Sequence, residues 1–294
     1  MKPTRKARRA KRRAPLIAGA AALAVAGILV AASQMASAQV LERQAAQPGP
    51  TPTIVLEHGA WADASSWNGV IRRLEADGYT VDAPPNPLRG LAYDSSYLSD
   101  YLATISGPII LVGHSYGGAV ITNAATGNPN VKALVYVDAF IPAQGESLLQ
   151  LVAAQPGSCL AGNPADVFNL VPYPGAPAGD ADTYLQTAPD GTYPGFAKCF
   201  ANGLPASKAA VLAATQRPLA FNAAEAPSGV PAWLTIPSWS VIGTADRALP
   251  PTEQLFSSQR ANAHITQINA GHLSMISDPG AVTRVIVDAV NATS

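Results

Sequence analysis

One hexapeptide constrains this chain more than any other feature. The apolar run Ile109-Ile110-Leu111-Val112 leads straight into Gly113-His114-Ser115-Tyr116-Gly117-Gly118, and a helix-like segment from Ala119 to Ala125 follows. Gly-x-Ser-x-Gly between a strand and a helix describes a very tight turn, in which side chains two places before and after the serine would collide. Gly113 and Gly117 remove that collision, while Ser115 has to accept strained backbone angles. The turn lifts the Ser115 hydroxyl above the end of a sheet, and the next helix points its first N–H groups at any negative charge that develops there. The pattern predicts a serine nucleophile. The other way to read it, a buried serine at a Gly-rich helix start, leaves the preceding strand and the paired glycines unexplained.

The rest of the chain supplies the sheet that such a turn needs. Short β-rich runs occur at Ile54-Val55-Leu56, Thr80-Val81, Ile109 to Val112, Ala133 to Val137, Trp239 to Ile242 and Ile265 to Ile268. They read as buried parallel strands. Helical patterns lie between or after them at Trp67 to Asp77, Ser95 to Ile105, Tyr116 to Thr126, Thr252 to Asn262 and Pro279 to Asn291, each opening near a Ser, Thr, Asp or Pro. This alternation predicts an α/β fold, a mostly parallel sheet with helices on both faces. It breaks between Pro142 and Pro237, where 13 of the 26 prolines fall and no βα repeat is visible. An inserted cap is expected over residues 143–237, with the core split into 53–142 and 238–294.

A serine hydroxyl is a weak nucleophile at neutral pH and needs a positioned base. Four histidines are available: His58, His114, His264 and His272. His114 sits on the turn itself, so its ring should point away from Ser115; His58 precedes a glycine at the end of the first strand. His264 opens the last strand at the end remote from the turn. His272 follows that strand and Asn269-Ala270-Gly271, at the carboxyl end where α/β sites assemble, and is the expected base. Asp246, in the loop Gly243-Thr244-Ala245-Asp246-Arg247 four residues after the strand ending at Ile242, is the expected acid on its loop position and the chain order Ser, Asp, His. Asp138, at the end of the strand Ala133 to Val137, is its rival.

The first 38 residues belong to a different piece of the molecule. They carry eight Lys or Arg and no acid, then an uncharged stretch of 17 residues from Leu16 to Ala32, then Ala36-Ser37-Ala38. These are the parts of an export signal cut before Gln39. The apolar stretch is short for a membrane anchor, so no stable anchor is expected after cleavage. The Arg12-Arg13 pair raises a twin-arginine route, of which Ala14-Pro15-Leu16 is a weak version. Residues 39–52, polar and Pro-rich, read as a linker. The formal balance of 19 basic and 19 acidic residues therefore hides an asymmetry: setting the eight leader cations aside leaves 11 basic against 19 acidic. An acidic chain without a cationic run is a poor partner for nucleic acid. Hydrophobic residues make up 48% and charged residues 13%, enough for a sizeable core and too apolar for a disordered chain.

Taken together, these residues resemble the α/β-hydrolase superfamily, and within it the capped serine esterases related to plant methyl-salicylate esterases and hydroxynitrile lyases. The resemblance runs from Ile54 to about Ala292. It rests on Glu57-His58-Gly59-Ala60-Trp61, on Gly113 to Gly118, on Val137-Asp138-Ala139-Phe140-Ile141-Pro142, on Gly243 to Asp246 and on Gly271-His272. It implies an oxyanion hole made by the N–H groups of Ala60 and Tyr116, with Gly59 permitting the close approach. It also implies a Lys directly after the catalytic His in the lyases, where this chain has Leu273. That departure favours hydrolysis over C–C cleavage.

The expected activity is cleavage of a small, largely apolar carboxylic ester or lactone through an acyl-enzyme. A C–C lyase and a catalytically inactive binding module are the alternatives, the second opposed by an intact Ser, His and Asp set. No metal or other cofactor is expected, because the histidines and cysteines lack ligand spacing and no Gly-rich phosphate loop occurs. Trp61, Phe168, Tyr173, Tyr184, Tyr193, Phe196, Phe200 and Trp233 are candidates to line a pocket, although aromatic residues more often hold a fold together. Cys159 and Cys199, the only cysteines, both fall in the cap, and export makes a disulfide between them reasonable; two separate buried thiols are the alternative.

Overall fold

The computed structural model describes residues 50–187 and 193–293. The expected leader, residues 1–38, and most of the expected linker lie outside the described residues. From Thr53 the chain alternates as the sequence pattern requires: β1 (Thr53–Glu57), α1 (Asn68–Ala76), β2 (Thr80–Asp82), α2 (Leu91–Ala103), β3 (Ile109–His114), α3 (Tyr116–Ala124) and β4 (Val131–Val137). It then leaves the sheet for the cap, formed by α4 (Leu148–Ala154), α5 (Pro164–Val167), β5 (Phe168–Val171), β6 (Asp182–Leu185), α6 (Phe196–Cys199), α7 (Ala206–Ala214), β7 (Leu219–Ala220) and α8 (Phe221–Glu225). It returns through β8 (Ser238–Gly243), α9 (Pro251–Arg260), β9 (His264–Ile268), α10 (Ser274–Ser277) and α11 (Pro279–Thr293).

The main sheet runs β2-β1-β3-β4-β8-β9, every neighbouring pair parallel. β3 and β8 are buried at all six positions, which explains their unbroken apolar runs: a strand covered on both faces has no polar side to show. The edges differ. β9 exposes His264, Thr266 and Gln267, and β2 is at best half-buried, so the expectation of buried strands fails at the two margins, where only one neighbour covers the backbone. α11 packs Val282, Val285, Ile286, Ala289 and Val290 inward at helical spacing, against α1 and the strands β4 and β8.

α2 begins four residues before the expected Ser95. The carboxylate of Asp94, in its first turn, accepts the N–H groups of Arg89 and Gly90 and so satisfies donors that precede the helix. In the cap, β5, β6 and β7 make an antiparallel sheet, a feature absent from the sequence reading. α4 starts at a capping box, Ser147 accepting from the Gln150 N–H while the Gln150 side chain accepts from the Ser147 N–H. Among the described residues no helix is long and apolar enough to cross a membrane.

The parallel register fixes where chemistry can gather. His114 stands opposite Val137 and Glu57 opposite Gly113, so the segments that follow these strands, with Gly59-Ala60, Ser115 and Asp138, emerge at one level. Gly243 stands opposite Ile268, bringing the Asp246 and His272 loops to the same edge.

Candidate active site

Ser115 has φ 50° and ψ −121°, between β3 and α3. This is the left-handed region that an L residue avoids, and a tight turn stores such strain only when its surroundings enforce it. The enforcement is steric and polar. A Cβ on Gly113 would come within 2.6 Å of the Gly117 carbonyl oxygen, and one on Gly117 within 2.6 Å of the Glu57 oxygen. The Ser115 carbonyl accepts N–H groups from Gly118 at 2.9 Å and Phe140 at 3.2 Å.

The Ser115 hydroxyl lies 2.9 Å from His272 Nε2, and His272 Nδ1 lies 2.8 Å from Asp246 Oδ2. With Nδ1–H donating to Asp246, the Nε2 lone pair is left to receive the serine proton. All three residues are buried. Burial works against a charged imidazole, but the charge and hydrogen bond of Asp246, with the charge of Asp138 beyond, outweigh it and hold the His272 pKa above its ordinary value. Asp246 receives four donors: the N–H groups of Ala248 and Leu249 on Oδ1, His272 and the Gln254 side-chain amide on Oδ2. That is as many as a carboxylate can accept. Gln254, on α9, carries no sequence signal that singles it out, since its role depends on a helix folding back over the loop.

Asp138 does not bond to His272. Its Oδ1 accepts the Gly243 N–H at 2.8 Å and its Oδ2 the Ser274 N–H at 3.1 Å. Burial, then the charge of Asp246, pushes its carboxyl up to about 7, while the His272 charge and the hydrogen bonds from Ser274 and Gly243 pull the other way.

The remaining histidines do structural work. His58 is buried, donates from Nδ1 to the Gly59 carbonyl and accepts the Asn86 N–H at Nε2; burial chiefly lowers its pKa to about 4. The His114 ring turns towards the base rather than the nucleophile: its Nε2–H donates to the His272 carbonyl at 2.9 Å. Burial, with the His272 charge next, keeps it well below the ordinary imidazole range. His264 stacks on Trp239 at the start of β9.

Ala60 and Tyr116 line a pocket together with Ser115 and Trp61. Tyr116 is the first residue of α3, where helix N–H groups have no partner in the helix; its hydroxyl donates to Asp94 at 2.6 Å. Trp61, at φ 55°, donates its backbone N–H to the Arg217 carbonyl and its indole N–H to the Thr183 carbonyl at 2.8 Å, both in the cap. The far wall of the pocket comes from α4 (Leu148, Leu149, Val152), Phe168 and α8 (Phe221, Ala224). No charged side chain lines it, and the Thr183 hydroxyl is spent on the Leu219 carbonyl. Of the aromatic candidates, only Trp61 and Phe168 reach the pocket. Tyr193, Phe196 and Phe200 are buried as packing, Tyr173 lies under the Arg89 guanidinium and Trp233 donates to the Pro142 carbonyl.

Cys159 and Cys199 are joined by a disulfide, with their Cα atoms 5.9 Å apart. The bond ties the loop that carries Leu160, a pocket residue, to the helix preceding Phe200. The Phe200 ring stands 5.1 Å from the His272 ring.

A parallel sheet whose central strand delivers a strained serine, hydrogen-bonded to a histidine from the last loop, defines an α/β enzyme of the nucleophile-elbow class. The chain belongs to the alpha/beta hydrolase family, whose model matches residues 54–285. It is similar to a carbendazim-hydrolyzing esterase from Nocardioides sp., 35% identical over 33% of this chain and 46% of that protein. The matches to this relative and to a pyrethroid hydrolase of Sphingobium wenxiniae each span less than half of the relative's length. Among solved structures, a pyrethroid hydrolase from Sphingobium faniae superimposes with a TM-score of 0.64 at 23% identity, over 82% of this chain and 98% of that one. An extracellular α/β-hydrolase from a Paenibacillus species gives 0.58 at 21%, over 81% and 98%. At these identities the structural likeness speaks to the fold.

Proposed function

We propose that the chain is a serine hydrolase that cleaves small, largely apolar carboxylic esters or lactones through an acyl-enzyme. The observation that carries this reading is the hydrogen-bonded line Ser115–His272–Asp246 opening onto a pocket without charged walls. Ser115 attacks the carbonyl carbon as its proton passes to His272 Nε2, and Asp246 steadies the imidazolium. The N–H groups of Ala60 and Tyr116 receive the oxyanion. His272 returns the proton to the leaving alcohol, then activates the water that frees the acid and restores Ser115. Relatives named as an esterase and as a pyrethroid hydrolase support the reaction class. The buried Leu273 after His272, in place of a Lys, speaks against the lyase alternative.

The catalytic core is residues 53–142 and 238–294, and the cap is 143–237. Export by the N-terminal signal completes the proposal. It is supported by the basic and apolar leader and the disulfide, and by the extracellular relative. N-terminal sequencing of protein recovered outside the cytoplasm should start at Gln39.

The activity is tested with p-nitrophenyl esters of increasing chain length beside enantiomeric and lactone substrates. Turnover should favour short to medium acyl chains. Ser115→Ala should remove ester turnover, a fall on the order of 10⁶-fold, together with fluorophosphonate labelling, while the protein still folds. Labelling retained by Ser115→Ala would sink the assignment.

A further inference from the structure

Asp138 is a buried acid that the reaction described above leaves unused. It follows β4 directly, has no exposed surface and holds a left-handed backbone at φ 47°. Among the described residues no Lys or Arg forms an ion pair with it. Its oxygens instead go to two different segments, Oδ1 to the Gly243 N–H and Oδ2 to the Ser274 N–H. Gly243 ends β8, three residues before Asp246, and Ser274 opens α10, two residues after His272. Gly243 is fitted to this contact: a Cβ there would stand 2.9 Å from Asp138 Oδ1 and 2.8 Å from the Ala270 carbonyl oxygen.

We propose that Asp138 is a positioning residue that clamps the Asp246 loop and the His272 loop to each other and adds a second negative charge near the His272 imidazole. The proposal rests on the reading of Ser115, His272 and Asp246 as the reacting set. Above about pH 7, where the Asp138 carboxyl is ionised, these N–H hydrogen bonds are the charge-assisted, strong kind, and here they are shielded from water. Displacing a catalytic group by about 1 Å costs on the order of a hundredfold in rate. One side chain that fixes two loops at once therefore bears on kcat without touching substrate. The titratable groups facing His272 are Asp246 from the loop after β8, Asp138 from the end of β4 and His114 from β3, its ring centroid 5.0 Å away, along with the Ser115 hydroxyl; the cap contributes the uncharged Phe200. His114 is held neutral, so the field at the imidazole comes from the two carboxylates.

The test is Asp138→Asn, nearly the same shape but uncharged and able to accept only one of the two N–H groups. It should lower kcat by about 10- to 100-fold with KM within twofold. Loss of a nearby negative charge makes His272 easier to deprotonate, so the acid limb of kcat/KM should move to lower pH, a displacement that a merely structural residue would not cause. An unmoved limb with kcat within twofold overturns the proposal. So does a loss matching that of Asp246→Asn, which would make Asp138 an acid of the reacting set. Wild-type ester turnover by Ser115→Ala is a separate result and would end the serine-hydrolase reading instead. If Asp138→Asn does not fold, amide exchange in the wild-type protein decides. The Gly243 and Ser274 amides should both be strongly protected, and exchange of either at the rate of an unstructured amide overturns the clamp.

Discussion

β1, β3, β4 and β8 run five to seven residues and find their partners in one another, whereas the strands of the cap run two to four residues and its ties reach outside it. The cap is held to the sheet by the Arg89–Asp182 ion pair, by the bonds from Trp61 and by the Cys159 N–H and Ser158 hydroxyl on the Arg247 and Ala248 carbonyls. Within the cap, the disulfide closes a 40-residue separation. The sheet is self-sufficient, and the cap is a set of short pieces fastened one at a time. A sequence that must place reacting groups to a fraction of an ångström puts them on the first kind of structure; one that must shape a pocket wall uses the second.

The sharpest way to break this contrast is at the sheet. Asp246→Asn should lower kcat by about 10⁴-fold, because the wrong imidazole tautomer would face Ser115. Its residual activity should also show an acid limb at lower pH, since the charge that raises the His272 pKa is gone. A loss of tenfold or less, measured on folded protein, would mean that the edge of the sheet is not where the chemistry is fixed.

Opening the disulfide should act on the cap alone. For a closed loop of this length the bond contributes about 3 to 4 kcal/mol, so reduction should lower the first melting transition and change turnover of bulky esters severalfold, with short esters affected less. Equal effects on all chain lengths would show that the cap steadies the reacting groups as well as the pocket. The smallest effect is expected from Arg89→Leu. Its ion pair with Asp182 is partly exposed, and such pairs are worth about 1 kcal/mol or less. Stability should drop slightly and kcat for short esters should hold; a large fall in kcat would tie this side of the cap to Tyr116 through Asp94.

What could be read from the sequence follows the same division. β1, β3, β4 and β8 were legible as apolar runs bounded by turn residues, and the turn around Ser115 because its spacing has a steric reason; the edge strands β2 and β9 were legible only as short β-rich runs that carry exposed polar residues. Asp246 was preferred to Asp138 only by its place in the loop after the strand ending at Ile242, since both follow a strand at its carboxyl end; the path of that loop decides which one meets Nδ1 of His272. The cap sheet left no periodicity, since β6 and β7 pair across 33 intervening residues and only two register positions. One signal there was available, the Ser147-to-Gln150 capping box that announces α4 inside a Pro-rich stretch.

Trp61 sets a limit on how this molecule can breathe. The residue beside Ala60 is fastened through its main chain to Arg217 and through its indole to Thr183. A lid swinging up on the β6–β7 side would have to break both fastenings or drag Trp61, next to the proposed oxyanion donor Ala60, out of place. On that side the cap is therefore masonry rather than a door. Leu149 on α4 lines the cavity and still leaves 37% of its surface in water, so there the pocket wall itself meets solvent.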